Sequence, residues 1–227
     1  MPNWCYQQFT VYGKPEDLRA FAAASQYKQQ EESGYWATRF GLNHLFPIPE
    51  KLSKTVSGWS GDPAQQAEYE RAFAENMAEF GHKDWYDWAL DNWSTKWGAC
   101  DFQWRSHEFD SGISILDSET ELNGYFESAW GPASGLIKKI SGDFPNLVFS
   151  IIFTEESNAF VGYEIFRGGE LVVSDGEEPN MPESLEKALG ESFEDAFEEL
   201  SDWQNGLEYK YAERCEDSVS KVLAEAS

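Results

Sequence analysis

Basic side chains are scarce in this chain: 17 Lys and Arg stand against 41 Asp and Glu, leaving a formal net charge of −24. A field of that sign repels nucleic acid, nucleotides and anionic lipid unless a local basic patch or a bound cation meets them, and it attracts basic protein surfaces. No basic stripe interrupts it, so direct nucleic-acid binding is not expected. Cysteine is sparse too. Cys5, Cys100 and Cys215 are odd in number and far apart, which suits small buried reduced thiols and forms neither a disulfide framework nor a zinc pattern. His44, His82 and His107 include no His-x-x-x-His pair, and there is no calcium loop, phosphate loop or Gly-x-Ser-x-Gly element. Neither a metal nor a cofactor is expected, and no catalytic residue is assigned. Cys100, Asp101 and His107 are close in sequence, but adjacent strand residues point to opposite faces, which argues against a triad. Carboxylates are abundant enough to hold an acid/base pair, so enzyme activity stays open while a non-enzymatic role is preferred.

Long apolar runs are missing as well. Nothing approaches the roughly 20 residues of a membrane helix, and Met1-Pro2-Asn3-Trp4 lacks the basic start and apolar centre of a signal peptide. The expected location is the cytoplasm, with no membrane partner. What the chain has in quantity is aromatic material: 10 Trp, 10 Tyr and 16 Phe among 227 residues, enough for a substantial core despite the charge.

Alternation at Trp4, Tyr6, Phe9 and Val11, closed by Gly13, predicts a first strand. Pro15 opens a helix through Leu18, Phe21 and Ala22 to about Ser25. Residues 35 to 42 are a candidate strand, and the prolines of Phe46-Pro47-Ile48-Pro49 forbid a regular helix there. Asp62-Pro63-Ala64-Gln65 is a helix start, with Gln65 placed for a capping box, Tyr69, Ala72, Phe73 and Phe80 as its apolar stripe and Gly81 as its stop. A second aromatic helix from about Lys83 carries Trp85, Trp88, Ala89 and Trp93, so 62 to 93 is predicted as a helical insertion. From Ala99 the period turns to two: 100 to 109, 111 to 116 and 122 to 130 are candidate strands. Pro132 starts a helix through Leu136, Ile137 and Ile140, and strands follow at 147 to 153, 160 to 166 and 170 to 173, the last two joined at Gly168-Gly169. Without the insertion the order is β, α, β-β, α, β, the split βαβ pattern of an α+β domain. The expected organisation is one such domain over residues 1 to 173, followed by an acidic helical extension over 174 to 227 packed on or beside it.

Three tryptophan motifs punctuate this plan: Met1-Pro2-Asn3-Trp4-Cys5, Asn92-Trp93-Ser94-Thr95-Lys96-Trp97-Gly98-Ala99 and Ala129-Trp130-Gly131-Pro132. With Phe46-Pro47-Ile48-Pro49-Glu50 and Phe144-Pro145-Asn146-Leu147-Val148-Phe149 they make the chain similar to the YubB-like family. That resemblance implies a ferredoxin-like domain and a gene carried by conjugative plasmids, phages or genomic islands. It implies no reaction.

The acidic excess is uneven. Residues 174 to 227 hold 16 acids and 4 bases, a net of −12, which is half of the total. Within them 184 to 203 is periodic as one amphipathic helix, with Leu185, Leu189, Phe193, Ala196, Phe197, Leu200 and Trp203 on one face and Glu191, Glu194, Asp195, Glu198, Glu199 and Asp202 opposite. Acid pairs three or four residues apart stand roughly 5 to 6 Å apart along such a helix, near the roughly 6 to 7 Å between phosphates along a DNA strand. The face is therefore either a solvated surface or a DNA-like one. The second candidate site is the loop with Trp93, Lys96 and Trp97, joined by Arg105 on the next strand, where indoles flank a cation able to hold an anion; otherwise its indoles are packing anchors.

Two functions follow as expectations. The first is an accessory protein of a phage or plasmid that binds a host protein with a basic surface, in one version inhibiting a DNA-directed defence or restriction system by mimicking DNA. The alternative is a module that binds or sequesters a small anion or nucleotide at the Trp93 to Trp97 loop.

Overall fold

The computed structural model describes residues 3–30, 32–105, 115–157 and 159–225, with the side chains of Phe193 and Asp195 left aside. The first strand, β1 (Trp4–Tyr12), sets the layout, because its side chains alternate without interruption. Cys5, Gln7, Phe9 and Val11 are buried, while Trp4, Gln8, Thr10 and Tyr12 are half-buried and Tyr6 is 46 % exposed. Helix α1 (Pro15–Ala24) begins with Pro15 at its first position and buries Leu18, Phe21 and Ala22, as its spacing predicts. It closes where the Ser25 N–H donates to Phe21 O at 2.9 Å.

An insertion follows, larger than the predicted one. It opens with a two-stranded arm, β2 (Gln26–Gln30) and β3 (Trp36–Phe40), which pair only with each other. Next come a 3-10 turn at Asn43–Leu45 and the short helix α2 (Glu50–Ser53). Helix α3 (Pro63–Phe80) is capped by the Asp62 carboxylate, which accepts from Ala64 N, and stops at Gly81 with φ 74°. The capping box is not closed by Gln65. Its side chain instead accepts from Ser60 Oγ at 2.5 Å, and Ser60 Oγ in turn accepts from Asp62 N at 3.2 Å. The apolar stripe of α3 is only partly covered, and its one buried residue is Asn76, which donates to Thr55 Oγ1 and Lys83 O. Helix α4 (Trp85–Trp93), capped by Asp84, buries Trp88, Ala89 and Trp93.

The chain then re-enters the sheet with β4 (Cys100–Trp104) and β5 (Glu121–Ala129), crosses by α5 (Ser134–Asp143), and returns along β6 (Val148–Glu155), β7 (Val161–Arg167) and β8 (Glu170–Glu177). The six strands lie in the order β4-β5-β1-β6-β7-β8, all antiparallel. The first four strands with α1 and α5 form the split βαβ arrangement; β7 and β8 extend it at one edge. Gly168 and Gly169, at φ 58° and 83°, make the β7–β8 turn, where a tight hairpin needs positive φ at both central residues. The predicted strand over 111 to 116 and His107 lie wholly or largely outside the described residues.

One face of the sheet carries α1, α4 and α5 around an aromatic core centred on Phe9, whose ring lies 5.9 to 6.3 Å from those of Phe21, Phe102, Trp104, Phe126 and Phe149. Such pairs add about 0.5–1.5 kcal/mol each beyond burial. The other face is covered at one end only. There α6 (Glu183–Glu191) leads into the 32-residue α7 (Phe193–Ala224), which seats Tyr211, Cys215 and Val219 on Val148, Val161, Tyr163 and Ile165. Tyr163 OH meets Ser218 Oγ at 2.8 Å, and Lys210–Glu177 (2.6 Å) and Arg214–Asp175 tie the same stretch to β8. The end of the chain thus packs back onto the sheet.

That seat predicts a large effect at a single residue. Tyr211→Ala removes a side chain only 1 % exposed and should destabilise the fold by about 3–5 kcal/mol in urea unfolding. A change below about 0.5 kcal/mol, the level of ordinary surface substitutions, would mean that α7 is not docked there.

Candidate functional site

The three tryptophan motifs meet at one end of the sheet. The antiparallel register of β1 and β5 sets Trp4 opposite Ala129, so the first and third motifs are neighbours, and the Trp130 N–H donates to Asn3 O at 2.9 Å. The middle motif is fastened beneath them: Thr95 Oγ1, 1 % exposed as a residue, donates to Ala129 O at 2.6 Å. Ser94, in the left-handed region at φ 64°, accepts from Gly135 N at 3.1 Å through its hydroxyl. Behind them Gln7 donates to Ser128 Oγ and accepts from Ala133 N, while Ser128 donates to Gly131 O. These bonds fix both loops, since a buried polar group left unpaired costs about 1–3 kcal/mol.

The result is a cage of indoles around one cation. Lys96 Nζ lies 4.3 Å from the ring centre of Trp97, 5.5 Å from that of Trp130 and 6.0 Å from that of Trp85, and Trp4 packs on Trp97 at 5.8 Å. Although the chain has 41 acids, Lys96 forms no ion pair among the described residues. Its charge is met by ring quadrupoles, each contact worth about 0.5–1 kcal/mol at an exposed site. Trp130 is held at φ 70° and stays 46 % exposed. A bulky residue there is strained by about 1–3 kcal/mol, a cost tolerated where the surroundings over-determine the geometry.

The predicted loop is therefore divided. Lys96 and Trp97 belong to the cage. Trp93 is a core anchor, 4 % exposed, whose indole N–H donates to Phe46 O at 2.9 Å. Arg105 follows the last residue of β4, away from the cage, its guanidinium 5.7 Å from the ring of Tyr125. Trp4, Trp85 and Trp130 complete the cage and were not among the predicted site residues. The legible signal was the β1–β5 pairing, which brings Trp4 beside Trp130 once the strands are set antiparallel.

The predicted acidic helix is broken. Ser192 is extended, at φ −157° and ψ 114°, so Glu191 ends α6 whereas Glu194, Asp195, Glu198, Glu199 and Asp202 belong to α7. Glu191, Glu194, Glu198, Glu199 and Asp202 are all exposed. Leu185 and Ala196 are buried as their face predicts, but Phe197 is 57 % exposed. The break rotates the second segment away from a single continuous stripe.

Other groups narrow the chemistry. All three cysteines are free, and burial pushes the Cys5 thiol up to about 12 and those of Cys100 and Cys215 up to about 11, leaving them poor nucleophiles at neutral pH. No group of three or more His, Cys, Asp or Glu is placed to hold a metal among the described residues, and no described helix is long and apolar enough to cross a membrane. A cleft of about 720 Å³ separates the arm from edge strand β4, lined by Tyr27, Arg39, Phe40, His44, Asp101 and Gln103 among others. His44 Nε2 donates to Ala24 O at 2.8 Å, while its buried Nδ1 has no hydrogen-bond partner among the described residues.

Glu164 provides a pH test. It stands on β7 facing the start of α5, accepting from Ser134 Oγ at 2.6 Å, and burial raises its pKa above the ordinary 4.5 despite that bond. A raised carboxyl makes the folded state hold the proton more tightly than the unfolded state, so its contribution is lost as pH rises from the unfolded value through the folded one. Glu164→Gln, which keeps an acceptor for Ser134, should be more stable than the parent at pH 7.5 and equal to it near pH 3.5 in chemical denaturation. Equal stability at both pH values would mean that the carboxyl is solvated.

None of the curated proteins matches the chain. It can be superposed on the crystal structure of the protein api92 from Yersinia pseudotuberculosis with a TM-score of 0.37 and 11 % identity, over 80 % of this chain and 99 % of that one. A likeness that loose carries nothing about function. Residues 92–199 match the family model described as the ferredoxin-like domain in Api92-like protein, and with the split βαβ sheet this shows that the chain contains a ferredoxin-like domain.

Proposed function

We propose that this chain is a binding protein, not an enzyme, and that it works by contacting a basic surface on a partner protein. The observation that carries this reading is the surface at the α6–α7 junction. Glu191, Glu194, Glu198, Glu199 and Asp202 are exposed there, and Phe197 stands exposed among them. In that stretch the only base in ion-pair reach among the described residues is Lys187, 4.0 Å from Glu191. An exposed aromatic ring set among charged residues has the make-up of an interface anchor with a polar rim, and this supports the binding reading. Raised thiol pKa values remove the simplest nucleophiles and support the non-enzymatic part of the reading.

In its sharper form the partner is a host protein of a DNA-directed defence or restriction system, met by an accessory protein from a phage or plasmid. The break at Ser192 limits DNA mimicry to α7, where Glu194, Glu198 and Asp202 recur every four residues. Reversing Glu194, Asp195, Glu198 and Glu199 to Lys should lower affinity for a partner captured from bacterial lysate at least tenfold and flatten its salt dependence. Unchanged affinity together with unchanged salt dependence would remove this surface from the account.

A second reading is favoured by Lys96 in its indole cage. Its ammonium has no carboxylate partner among the described residues and is placed to hold a small anion or nucleotide. A ligand bound only by the folded state raises the melting midpoint, so a panel of nucleotides and inorganic anions should contain one that does so, with the shift lost in Lys96→Ala. No shift from any of them at millimolar concentration would dismiss this reading.

A further inference from the structure

Helix α7 packs mainly over β6 and β7 and beyond them reaches Tyr12 of β1 and the neighbouring β8; on the same face Tyr6 is exposed and Gln8, Thr10, Asn123, Tyr125 and Glu127 are half-buried. The strand pairing fixes what stands there. Tyr6 is opposite Glu127, Gln8 opposite Tyr125 and Thr10 opposite Asn123, with Gln103 of β4 beside Tyr125. Two cations of the chain already lie on rings at this surface. At one end Lys96 sits on Trp97, which packs against Trp4. Two pairs further along, Arg105 sits on Tyr125. Between them Tyr6 is 46 % exposed with no cation over its ring among the described residues.

The carboxylates of this middle position are also uncompensated. Strand pairing sets Glu127 opposite Tyr6 on one side and Cys100, the neighbour of Asp101, on the other, while Glu156 is bonded to Trp4; burial, with the negative charges of Asp101 and Glu156, raises the pKa of Glu127. Neither Glu127, Asp101 nor Glu156 pairs with a base among the described residues. Glu156 spends one oxygen on Trp4 N at 2.9 Å. A cation placed over Tyr6 would meet a ring face and relieve a cluster of like charge. The chain shows at both flanks how such a cation sits.

We propose that this open half of the sheet, centred on Tyr6 and Glu127, docks an extended arginine- or lysine-bearing segment of the basic partner, a side chain of which lies over Tyr6 between Lys96 and Arg105. The proposal rests on the reading that the partner is basic, but it assigns the contact to the sheet face and not to α7. Charge complementarity favours a basic peptide over single-stranded nucleic acid. An aromatic sheet face can stack bases, but Glu127, Asp101 and Glu156 would repel the phosphates that accompany them.

The test uses fluorescence anisotropy with two labelled probes, a short alternating Arg-Ser peptide and an oligothymidylate, at physiological salt. The parent protein should bind the peptide. Tyr6→Ala and Glu127→Gln should each weaken binding roughly five- to tenfold, the range of a cation–π or charge contact at a partly desolvated site, and Tyr6→Phe should restore it. Circular dichroism confirms that each variant is folded. The reversal in α7 alters net charge far more, yet should weaken the peptide less than either single change. No binding of the peptide would overturn the proposal, as would losses that follow net charge with Tyr6→Ala silent. Tight oligothymidylate binding abolished by Tyr6→Ala would make the face a nucleic-acid platform instead. If the α7 reversal alone disrupts the captured partner, this proposal fails while the reading of a basic partner stands; if only the sheet variants do, this proposal stands and α7 is not the contact surface.

Discussion

The period-two alternation of β1 governs everything else in the molecule. Because β1 is hydrogen-bonded on both edges, to β5 and β6, neither its register nor its facing can shift locally. A slip of one residue would send Phe9 and Val11 into solvent and Trp4 and Tyr6 into the core. Held in place, it gives one face an aromatic centre and delivers Trp4 and Tyr6 to the other. The core and both candidate surfaces on the sheet are thus two sides of one constraint.

The second consequence is a division of labour across the sheet. Its helical face is closed by α1, α4 and α5 around Phe9, whereas its opposite face is shared between α7 and solvent. Aromatic residues serve in both places, buried in the core on one face and caging a lysine at the end of the sheet. The chain as a whole carries a net charge of −24. That combination suits a basic partner with rigid planar or cationic side chains.

Much of the fold was legible because local and tertiary signals agreed. Pro15, Asp62-Pro63, Gly81 and Gly168-Gly169 mark boundaries where the backbone demands those residues, and the structure puts boundaries there. The strand β2 was missed because Gln26-Tyr27-Lys28-Gln29-Gln30 buries almost nothing and pairs only with β3, which leaves no apolar alternation to read. The break at Ser192 was missed for the opposite reason: apolar spacing over 184 to 203 is strong enough to hide it. Its signal was present in Gly190, a poor helix former, followed by Ser192-Phe193-Glu194-Asp195, the pattern of a new helix start. The cage was half legible. Its motifs stood out individually, but only strand pairing shows that Trp4, Lys96, Trp97 and Trp130 share one place.

That convergence is the account's central claim, and one measurement addresses it without a ligand or a mutant. Aromatic rings shift the resonances of protons held above their faces, and Lys96 Nζ lies within 6.0 Å of three indole centroids. In a proton NMR spectrum of the labelled protein, the Lys96 ε-methylene resonances should lie well upfield of those of the chain's other lysines. An ordinary lysine shift would mean that the three tryptophan motifs do not meet around it.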